Sequence, residues 1–393
     1  MHVVLELAQT TSRLFPRLTD SYRRSLTQLL FFALPAEHAS VRLFKASMEF
    51  LLTLRVPLFW LWVLMLGLLN AALAQSSDMV FCTDTTYCEP SVNGMPRSKA
   101  VEFSYEGVIR YPYQASSNLS NPETTTSSLA DEKRFQIKVK FPIYIGESWK
   151  VAAGFQYFNE EFQFNDLNNP DFVLGDVLDE HNLKSIGGRI YAAKAWKGRH
   201  YFALRAGADL NGDYGTDKQP KSDYLRVSVA PLFGVKKDPN TLYGFGLAWG
   251  YNFGRPSVYP FLVYNKTFNE HWGLETILPA KAAVRVNFSE SMLLYTGFQL
   301  EGASYTIDPQ RDDLDRFSSL HLQKSEIRLY ANLERELHDF LWLQAELGVR
   351  FNNRFELTNN AIINPVSIVD VQRQPAFYFR TGIFLVPPRK FLD

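Results

Sequence analysis

The sequence has few cysteines and, after its first quarter, no long apolar segment. Only two of its 393 residues are cysteine, Cys82 and Cys88. Two thiols without a nearby histidine argue against a zinc site, but in an oxidising compartment they can form a small disulfide loop. Charged residues interrupt every apolar stretch after Gln75, so we expect no transmembrane helix in the mature chain. The formal net charge is zero, which argues against a nucleic-acid partner.

Sequence motifs for catalysis and cofactor binding are also missing. The chain has no Gly-x-Ser-x-Gly elbow, no His-Glu-x-x-His, no phosphate-binding glycine loop and no Cys-x-x-Cys. We therefore expect no cofactor, no metal and no enzyme activity. A membrane-embedded lipid hydrolase is the less favoured alternative, since Ser304, Ser318 and Ser319 lie near His321 in the sequence. Such an enzyme needs a serine and a histidine together on the outer wall.

Aromatic residues and alternating polarity are what the sequence does have. It contains 31 Phe and 19 Tyr, and residues 133–385 repeatedly alternate polar and apolar side chains, most clearly in 134–141, 325–333 and 341–351. A period of two is that of a β-strand, and a strand with one apolar face suits a barrel wall between lipid and an aqueous lumen. A soluble β-sandwich also alternates, but the aromatic-rich apolar faces favour the barrel.

The pattern predicts an all-β fold, a transmembrane antiparallel up-and-down β-barrel of about 14 strands. The candidate strands are 101–109, 134–145, 148–157, 185–196, 199–208, 223–234, 240–252, 256–265, 271–278, 281–288, 291–303, 324–335, 340–352 and 376–386. If 271–278 and 281–288 are one irregular segment, the barrel has about 12 strands instead.

The connections between the candidate strands alternate in length. Those after even-numbered strands are short, whereas long ones lie at 110–133, 158–184, 209–222, 304–323 and 353–375. Outer-membrane barrels have short periplasmic turns and longer external loops, so both termini are expected in the periplasm. The connections at 253–255 and 279–280 are short although they should be external, which predicts a low rim there.

The N-terminal quarter is expected to be targeting sequence. Residues 56–69 are an uninterrupted apolar run, preceded by Arg55 and followed by Ala72-Leu73-Ala74. A basic residue, a short apolar run and a small-residue cleavage site are the features of a secretory signal peptide. We therefore divide the chain into an upstream extension at 1–47, caused by a start assigned too early, a signal peptide at 48–74, a periplasmic segment at 75–100 and the barrel at 101–393.

One part of the candidate barrel resembles a known family. The residues that carry the resemblance are Gly254-Arg255-Pro256, Pro260, Tyr264, Phe268-Asn269, Trp272-Gly273-Leu274-Glu275, Leu278-Pro279-Ala280, Ala283, Arg285 and Ser289. They resemble the core of an uncharacterised family of porin-like outer-membrane β-barrel proteins of Gram-negative bacteria, a domain of unknown function. The resemblance implies an outer-membrane barrel, and it brings no substrate or catalytic residue.

The polar faces of the strands predict a charged lumen, because Arg or Lys at the bilayer midplane costs roughly 2–4 kcal/mol. The expected lumen-lining residues are Lys138, Lys140, Arg189, Arg205, Arg226, Arg285, Glu301, Glu326, Arg328, Glu346, Arg350 and Arg380. Charged rings around water select solutes, which favours a passive pore or a binding platform. The alternative is a structural or adhesive barrel whose lumen is blocked, because Glu and Arg residues on adjacent strands can pair. The expected partners are outer-membrane lipid, lipopolysaccharide and small solutes.

Overall fold

A computed structural model describes residues 91–391, apart from 118–122, 147, 165–176, 179–181, 197–198, 216–221, 309–313, 315–316, 318 and 360–364. The expected upstream extension, the signal peptide and the disulfide between Cys82 and Cys88 lie outside the described residues and stay predictions. Within the described ranges, no helix is both long enough and apolar enough to cross a membrane.

The described chain is almost entirely β-structure. Its sixteen strands are β1 (Val101–Val108), β2 (Tyr111–Ser117), β3 (Glu123–Ile145), β4 (Trp149–Phe164), β5 (Leu183–Trp196), β6 (His200–Gly212), β7 (Leu225–Asp238), β8 (Thr241–Gly250), β9 (Ser257–Thr267), β10 (Trp272–Leu278), β11 (Lys281–Ser289), β12 (Met292–Ile307), β13 (Leu320–His338), β14 (Leu341–Asn359), β15 (Ser367–Arg373) and β16 (Ala376–Leu385). Short 3₁₀ turns lie at Ser222–Tyr224 and Arg389–Phe391.

The sheet closes on itself, because β1 pairs antiparallel with both β3 and β16. β1 and β2 act as one wall strand, and so do β15 and β16. Val108 pairs with Tyr378 and Tyr113 pairs with Arg373, so the register between these two wall strands is unchanged across the interruptions. With each of these pairs counted once, the wall is a closed antiparallel barrel of fourteen strands.

This architecture confirms the fourteen-stranded barrel that alternating polarity predicts. Each candidate strand overlaps one wall strand of the structure. The twelve-strand alternative is wrong, because β10 and β11 are separate strands with Gly273 paired to Arg285. Each has its own antiparallel hydrogen-bonded ladder, which one irregular segment could not provide.

Two of the long connections expected from the sequence contain strands instead of loops. Residues 110–133 include β2 and the first part of β3, and residues 353–375 include the end of β14 and all of β15. The polarity rule fails here because the inward side chains are apolar: Tyr113 is 3% exposed and Phe355 is 1% exposed. Without polar inward positions the alternation disappears from the sequence, although the strand itself continues.

The outer surface of the wall is apolar and the inner surface is charged. On β8 the outward side chains Phe245, Leu247 and Trp249 are exposed, as are large apolar residues on most other strands. The inward residues Glu106 on β1 and Arg328 on β13 are buried. Apolar side chains exposed in such a band are stable against hydrocarbon, not water. The chain therefore has the two faces of a transmembrane β-barrel.

The two ends of the barrel differ in their interior. We call the end with tight turns, such as 239–240 and 339–340, the turn end, and the opposite end the loop end. Apolar side chains fill the loop end, among them Tyr113, Phe162, Leu178, Leu314, Leu322, Phe355, Leu357 and Val371. Leu178 and Leu314 come from the connections after β4 and β12, and both are fully buried. These connections therefore contribute to an apolar core at the loop end.

At the loop end, the wall is shorter along β8 to β11 than elsewhere, as the short connections predict. The ladder between β11 and β12 stops where Lys281 meets Gln299, so residues 300–307 extend beyond β11. There β12 meets β6 directly, with Thr306 opposite Gly212. The loop end is thus closed by fewer strands than the turn end.

Candidate functional site: a divided lumen

One side of the lumen is filled by a connected network of ion pairs between inward side chains. It contains six carboxylates and six bases: Glu106, Glu132, Glu160, Glu301, Glu326 and Glu346 with Arg134, Lys324, Arg328, Arg350, Arg373 and Arg380. Equal numbers of opposite charges leave the network formally neutral. It therefore links the strands around it without adding a strong field to the lumen.

Arg328 occupies the centre of this network. Its Nη1 and Nη2 atoms donate to the two carboxylate oxygens of Glu106 at 2.8 and 3.0 Å, and it also contacts Glu326 and Glu301. Arg380 Nη2 approaches Glu106 to 2.7 Å from a different strand. A guanidinium offers five donors in a rigid fork, so one arginine can bind several carboxylates at once. The buried Glu106 carboxylate is therefore held by two arginines.

The network reaches the loop-end core through Glu132. This carboxylate pairs with Arg350 and accepts a hydrogen bond from the Tyr111 hydroxyl at 2.8 Å. Arg373 lies 3.5 Å from Glu132 and stacks over the Phe355 ring, with its Cζ 3.2 Å from the ring centre. The charged and apolar parts of this side of the lumen are thus packed against each other, which leaves little free space between them.

The other side of the lumen is open because its wall carries small residues. Four of the five inward residues of β8 are small, namely Gly244, Gly246, Ala248 and Gly250; the fifth, Leu242, lies next to the turn end. Inward positions of β4, β6 and β7 include Ala152, Gly154, Ala203, Gly207, Ser228 and Ala230. These side chains are too short to reach across the lumen. Ala152, Ala203, Ser228, Ala230 and Ala248 border a cavity of about 1740 Å³. Residues 91–100 and parts of β3 to β14 complete its lining, and Arg134, Glu301 and Lys324 of the ion-pair network form one side of it.

Basic side chains project into this cavity from β3, β5 and β6. The register places Lys140, Gly154 and Arg189 in one row, with Arg205 one row nearer the turn end. Neighbouring strands are about 4.8 Å apart, so the Cα atoms of Lys140 and Arg189 lie about 10 Å apart. Lys138 and Arg205 border the cavity, and both residues are exposed to solvent. Water therefore has access to this side of the lumen.

One carboxylate, Asp209, lies among these bases. It accepts hydrogen bonds from Arg189 Nη2 and from Gln156 Nε2, both at 2.9 Å. Arg205 makes no ion pair with a carboxylate in the part of the chain that the structure describes. Arg205 is therefore held by no ion pair within the described residues, although the charge of Asp209 on the same strand acts on it.

Residues 91–100, which we call the N-terminal strap, cross the turn end of the lumen. Val92 and Met95 of the strap pack against Tyr201, Leu242 and Phe261 of the inner wall. Burying these side chains against each other stabilises the strap in this position. The resulting apolar cluster forms the floor of the cavity.

Polar contacts hold the middle of the strap. Arg285 Nη2 donates to Asn93 O at 3.2 Å, and its Nη1 donates to Glu275 at 2.9 Å. Asn287 Nδ2 donates to Gly94 O at 3.1 Å. Gly94 has a φ of 69°, in the left-handed region, and a Cβ there would lie 3.0 Å from Asn287 Nδ2. Glycine thus permits the close approach of the strap to β11.

Charged contacts hold the far end of the strap. Arg97 Nη1 donates to Asp339 at 3.1 Å and Lys99 Nζ donates to Glu334 at 2.7 Å. Desolvation raises the pKa of Asp339, but hydrogen bonds from the Arg389 backbone and from Arg97 outweigh it and hold this pKa below its usual value. The strap and the C-terminal 3₁₀ turn thus meet at the β13–β14 turn.

The family described as a domain of unknown function, DUF6268, matches residues 103–385. The chain belongs to the DUF6268 family. This confirms the expected resemblance to an uncharacterised family of barrel proteins. No curated protein matches the DUF6268 chain.

Several solved outer-membrane barrels are similar to the DUF6268 structure at low identity. An outer-membrane channel of Pseudomonas putida F1 has 8% identity and a TM-score of 0.36, with 74% of this chain and 96% of that chain covered. Outer membrane phospholipase A of Escherichia coli has 8% identity and a TM-score of 0.31, covering 74% and 94%. A FadL homologue of Pseudomonas aeruginosa has 8% identity and a TM-score of 0.32, covering 73% and 90%.

The DUF6268 barrel separates the predicted lumen residues into three groups. The ion-pair network contains Glu301, Glu326, Arg328, Glu346, Arg350 and Arg380. The cavity is bordered by Lys138, Lys140, Arg189 and Arg205. Arg226 also borders the cavity, and its Nη2 donates to the Thr306 hydroxyl at 2.8 Å, whereas Arg285 holds the strap. That these residues line a path for solutes stays a proposal.

Several members of the network in the DUF6268 barrel are missing from the sequence prediction. Glu132, Glu160 and Arg373 lie in segments expected to be loops, and Lys324 is the first residue of a candidate strand. Arg134 stands on the polar face of 134–141. For Glu132 and Lys324 the sequence carries a signal, because charge recurs at every second residue through Glu132 and Arg134 and through Lys324, Glu326 and Arg328. Glu160 and Arg373 follow or precede apolar residues at the same spacing, so no such signal marks them.

The residues of the hydrolase alternative do not form a catalytic pair in the described residues of the DUF6268 barrel. Ser318 lies outside the described residues, and Ser304 is buried. The Ser319 hydroxyl and His321 Nε2 are both buried without a hydrogen-bond partner in the described chain. A serine nucleophile would need a base within hydrogen-bond distance, and no such contact joins these residues in the described chain.

Proposed function

We propose that this DUF6268 protein lies in the outer membrane and carries small solutes along a constricted, gated path through its lumen. The observation that carries the proposal is the division of the lumen into a neutral network and a cavity of about 1740 Å³ with water-accessible bases. A wall built only for rigidity is stabilised by close packing on its inner face. The small residues of β8 do not provide that packing, which supports a path for solutes.

The faces and ends of the barrel support its placement in the membrane. The exposed apolar residues suit a lipid environment, and the tight turns suit the periplasmic side of an outer-membrane barrel. β1 begins and β16 ends at the turn end, so this orientation puts both ends of the barrel domain in the periplasm. Small solutes, outer-membrane lipid and lipopolysaccharide are then its partners.

Both ends of the path are narrowed. The N-terminal strap covers the turn end, and the apolar core with Leu178 and Leu314 occupies the loop end. A wide, permanently open pore does not fit these contacts. Passage requires the strap to move, so we expect openings to be small and infrequent in the unmodified protein.

Single-channel recording in planar lipid bilayers tests this function. The double variant Arg97→Ala/Lys99→Ala removes the contacts of the strap with Asp339 and Glu334. We expect it to open more often and for longer than the unmodified protein, because the strap then has fewer contacts. Lys237→Ala, which removes an exposed base of β7 near the same end, is the matched control and should leave openings unchanged.

A structural or adhesive barrel with a blocked lumen is the second candidate, favoured by the apolar core at the loop end. Insertion is verified first, by resistance of the barrel to added protease. If both the unmodified protein and the strap double variant are inserted but silent, the blocked barrel replaces the proposed path. A large and steady current from the unmodified protein would equally contradict the constriction described above.

A further inference from the structure

We infer that the cavity binds small organic anions that carry an apolar body, of which an aromatic carboxylate is the simplest example. This inference deepens the proposed function by naming a class of solute. Passage of that solute across the membrane rests on the proposed function, whereas its binding in the cavity does not. The cavity combines an excess of bases, an arginine that has no ion-pair partner among the described residues, and an apolar floor within one ligand length.

Bases outnumber acids on the strands that border the cavity. On β3 to β6 the bordering bases are Arg134, Lys138, Lys140, Lys150, Arg189 and Arg205, and the bordering acid in the described residues of these strands is Asp209. Arg134 belongs to the neutral network and pairs there with Glu301, which also borders the cavity. A further acid, Glu102, lies opposite Lys138 on β1, which still leaves an excess of positive charge. The ion-pair network is neutral and does not cancel this excess. Positive charge between low-dielectric walls raises the local concentration of anions.

Arg205 is the best-placed receptor for an anionic group. Its side chain is exposed to the cavity, and its neighbours across the strands are Tyr191 and Ala230, neither of which is acidic. Arg189, by contrast, already donates to Asp209 at 2.9 Å. A guanidinium binds a carboxylate through two parallel N–H···O bonds, which gives strength and orientation. Arg205 therefore has both the charge and the geometry to hold a carboxylate.

An apolar row lies two residues nearer the turn end than Arg205. The register places Ala203, Leu232, Gly246 and Phe261 side by side on four neighbouring strands. The Phe261 ring covers Gly246, where an added Cβ would lie 2.3 Å from the ring. A strand rises about 3.4 Å per residue, so this row is about 7 Å from the Arg205 row. An aromatic acid can bridge that distance, with its carboxylate on the arginine and its ring on the apolar row.

Calorimetric titration of the full protein in detergent tests the inference with three probes of similar shape. Benzoate carries a negative charge, benzyl alcohol no charge and benzylammonium a positive charge. We expect benzoate to bind at least about tenfold more tightly than the other two, because it alone can accept charge-assisted hydrogen bonds from Arg205.

Two variants assign the binding to Arg205. Arg205→Met should weaken benzoate binding about 10- to 100-fold, since it removes charge-assisted hydrogen bonds while keeping most of the side-chain length. Lys237→Met removes an exposed base on β7 that does not border the cavity and should leave the affinity unchanged. The unfolding midpoint of each variant is measured first, so that a loss of fold is not mistaken for a loss of binding.

The inference is overturned if benzoate does not bind, if benzylammonium binds as tightly, or if folded Arg205→Met binds benzoate like the unmodified protein. Binding in detergent needs no passage across a membrane. A protein that binds benzoate in an Arg205-dependent way but carries no current would contradict the proposed path and leave the ligand class intact. A protein that conducts but does not prefer benzoate would contradict the ligand class alone.

Discussion

Replacing Arg328 by methionine should destabilise the barrel more than any replacement of a cavity base. The side chain of Arg328 is 1% exposed and contacts Glu106, Glu301 and Glu326. Arg328→Met keeps an unbranched side chain but leaves three carboxylates with one base fewer. Breaking a buried ion pair by removing one partner costs roughly 3–5 kcal/mol. Arg328 is almost fully buried, so solvent screens its ion pairs little.

A matched control and a double variant separate the loss of the ion pair from the loss of side-chain volume. Arg205→Met makes the same chemical change at an inward position that has no ion-pair partner in the described chain, and it should cost less than about 1 kcal/mol. Arg328→Met/Glu106→Gln restores equal numbers of acids and bases in the network. We expect it to be more stable than Arg328→Met alone, because fewer carboxylates lack a partner.

Urea titration of the protein in lipid vesicles, followed by tryptophan fluorescence from both the folded and the unfolded direction, gives the free energies of unfolding. The reasoning predicts a large loss for Arg328→Met, partial recovery for the double variant and little change for Arg205→Met. If Arg328→Met and Arg205→Met have the same small effect, water in the lumen screens the network and its role in holding the wall is refuted.

Three further predictions concern the cavity, the strap and the C-terminal turn. Ala203→Phe should reduce both conductance and benzoate binding by filling the cavity, whereas Ala208→Phe, on the exposed outer face of the same strand, should not. Gly94→Val should increase channel opening, because φ is 69° there and a Cβ would meet Asn287 Nδ2, while Gly188→Val, where a Cβ meets nothing within 4 Å, is the control. The lowered pKa of Asp339 stabilises the fold above its unfolded pKa of about 3.9, and this contribution is lost as the pH falls through the lower folded value. The protection factor of the Arg389 amide, which corrects its exchange rate for the intrinsic effect of pH, should therefore fall in acid, and Asp339→Asn should abolish that dependence.

The number of strands was predictable because lipid imposes one rule on every strand that crosses it. A strand such as β13 must alternate across its lipid-facing length, and Ile327 and Leu329 point outward while Arg328 points inward. At the loop end this rule no longer holds, because the inward side chains there form an apolar core. β2 and β15 were therefore hidden in segments that read as polar loops, although their register simply continues that of β1 and β16.

The partners within the ion-pair network could not be predicted from the sequence. Glu106 and Arg328 are 222 residues apart in the chain, and they meet only because the register of three intervening ladders brings their side chains within reach of each other. Alternation fixes whether a residue faces the lumen or the lipid. It carries no information on the register that places residues of distant strands at the same height in the barrel. The closed sheet alone therefore shows which bases are neutralised by carboxylates and which are available to bind a ligand.

The open side of the lumen, in contrast, is already present in the amino-acid sequence once the outward face is known. Between Tyr243 and Gly250, large residues alternate with glycine or alanine, and lipid accepts only the large apolar face. The small face must then point inward, where it cannot fill the lumen. On β13 the inward positions carry Arg328, Tyr330 and other long side chains, which can. A comparison of the volumes of the inward residues on each strand thus locates a cavity without any knowledge of register. The charges of those residues are different, because the pairing of the strands must be known before one can say which charges neutralise each other.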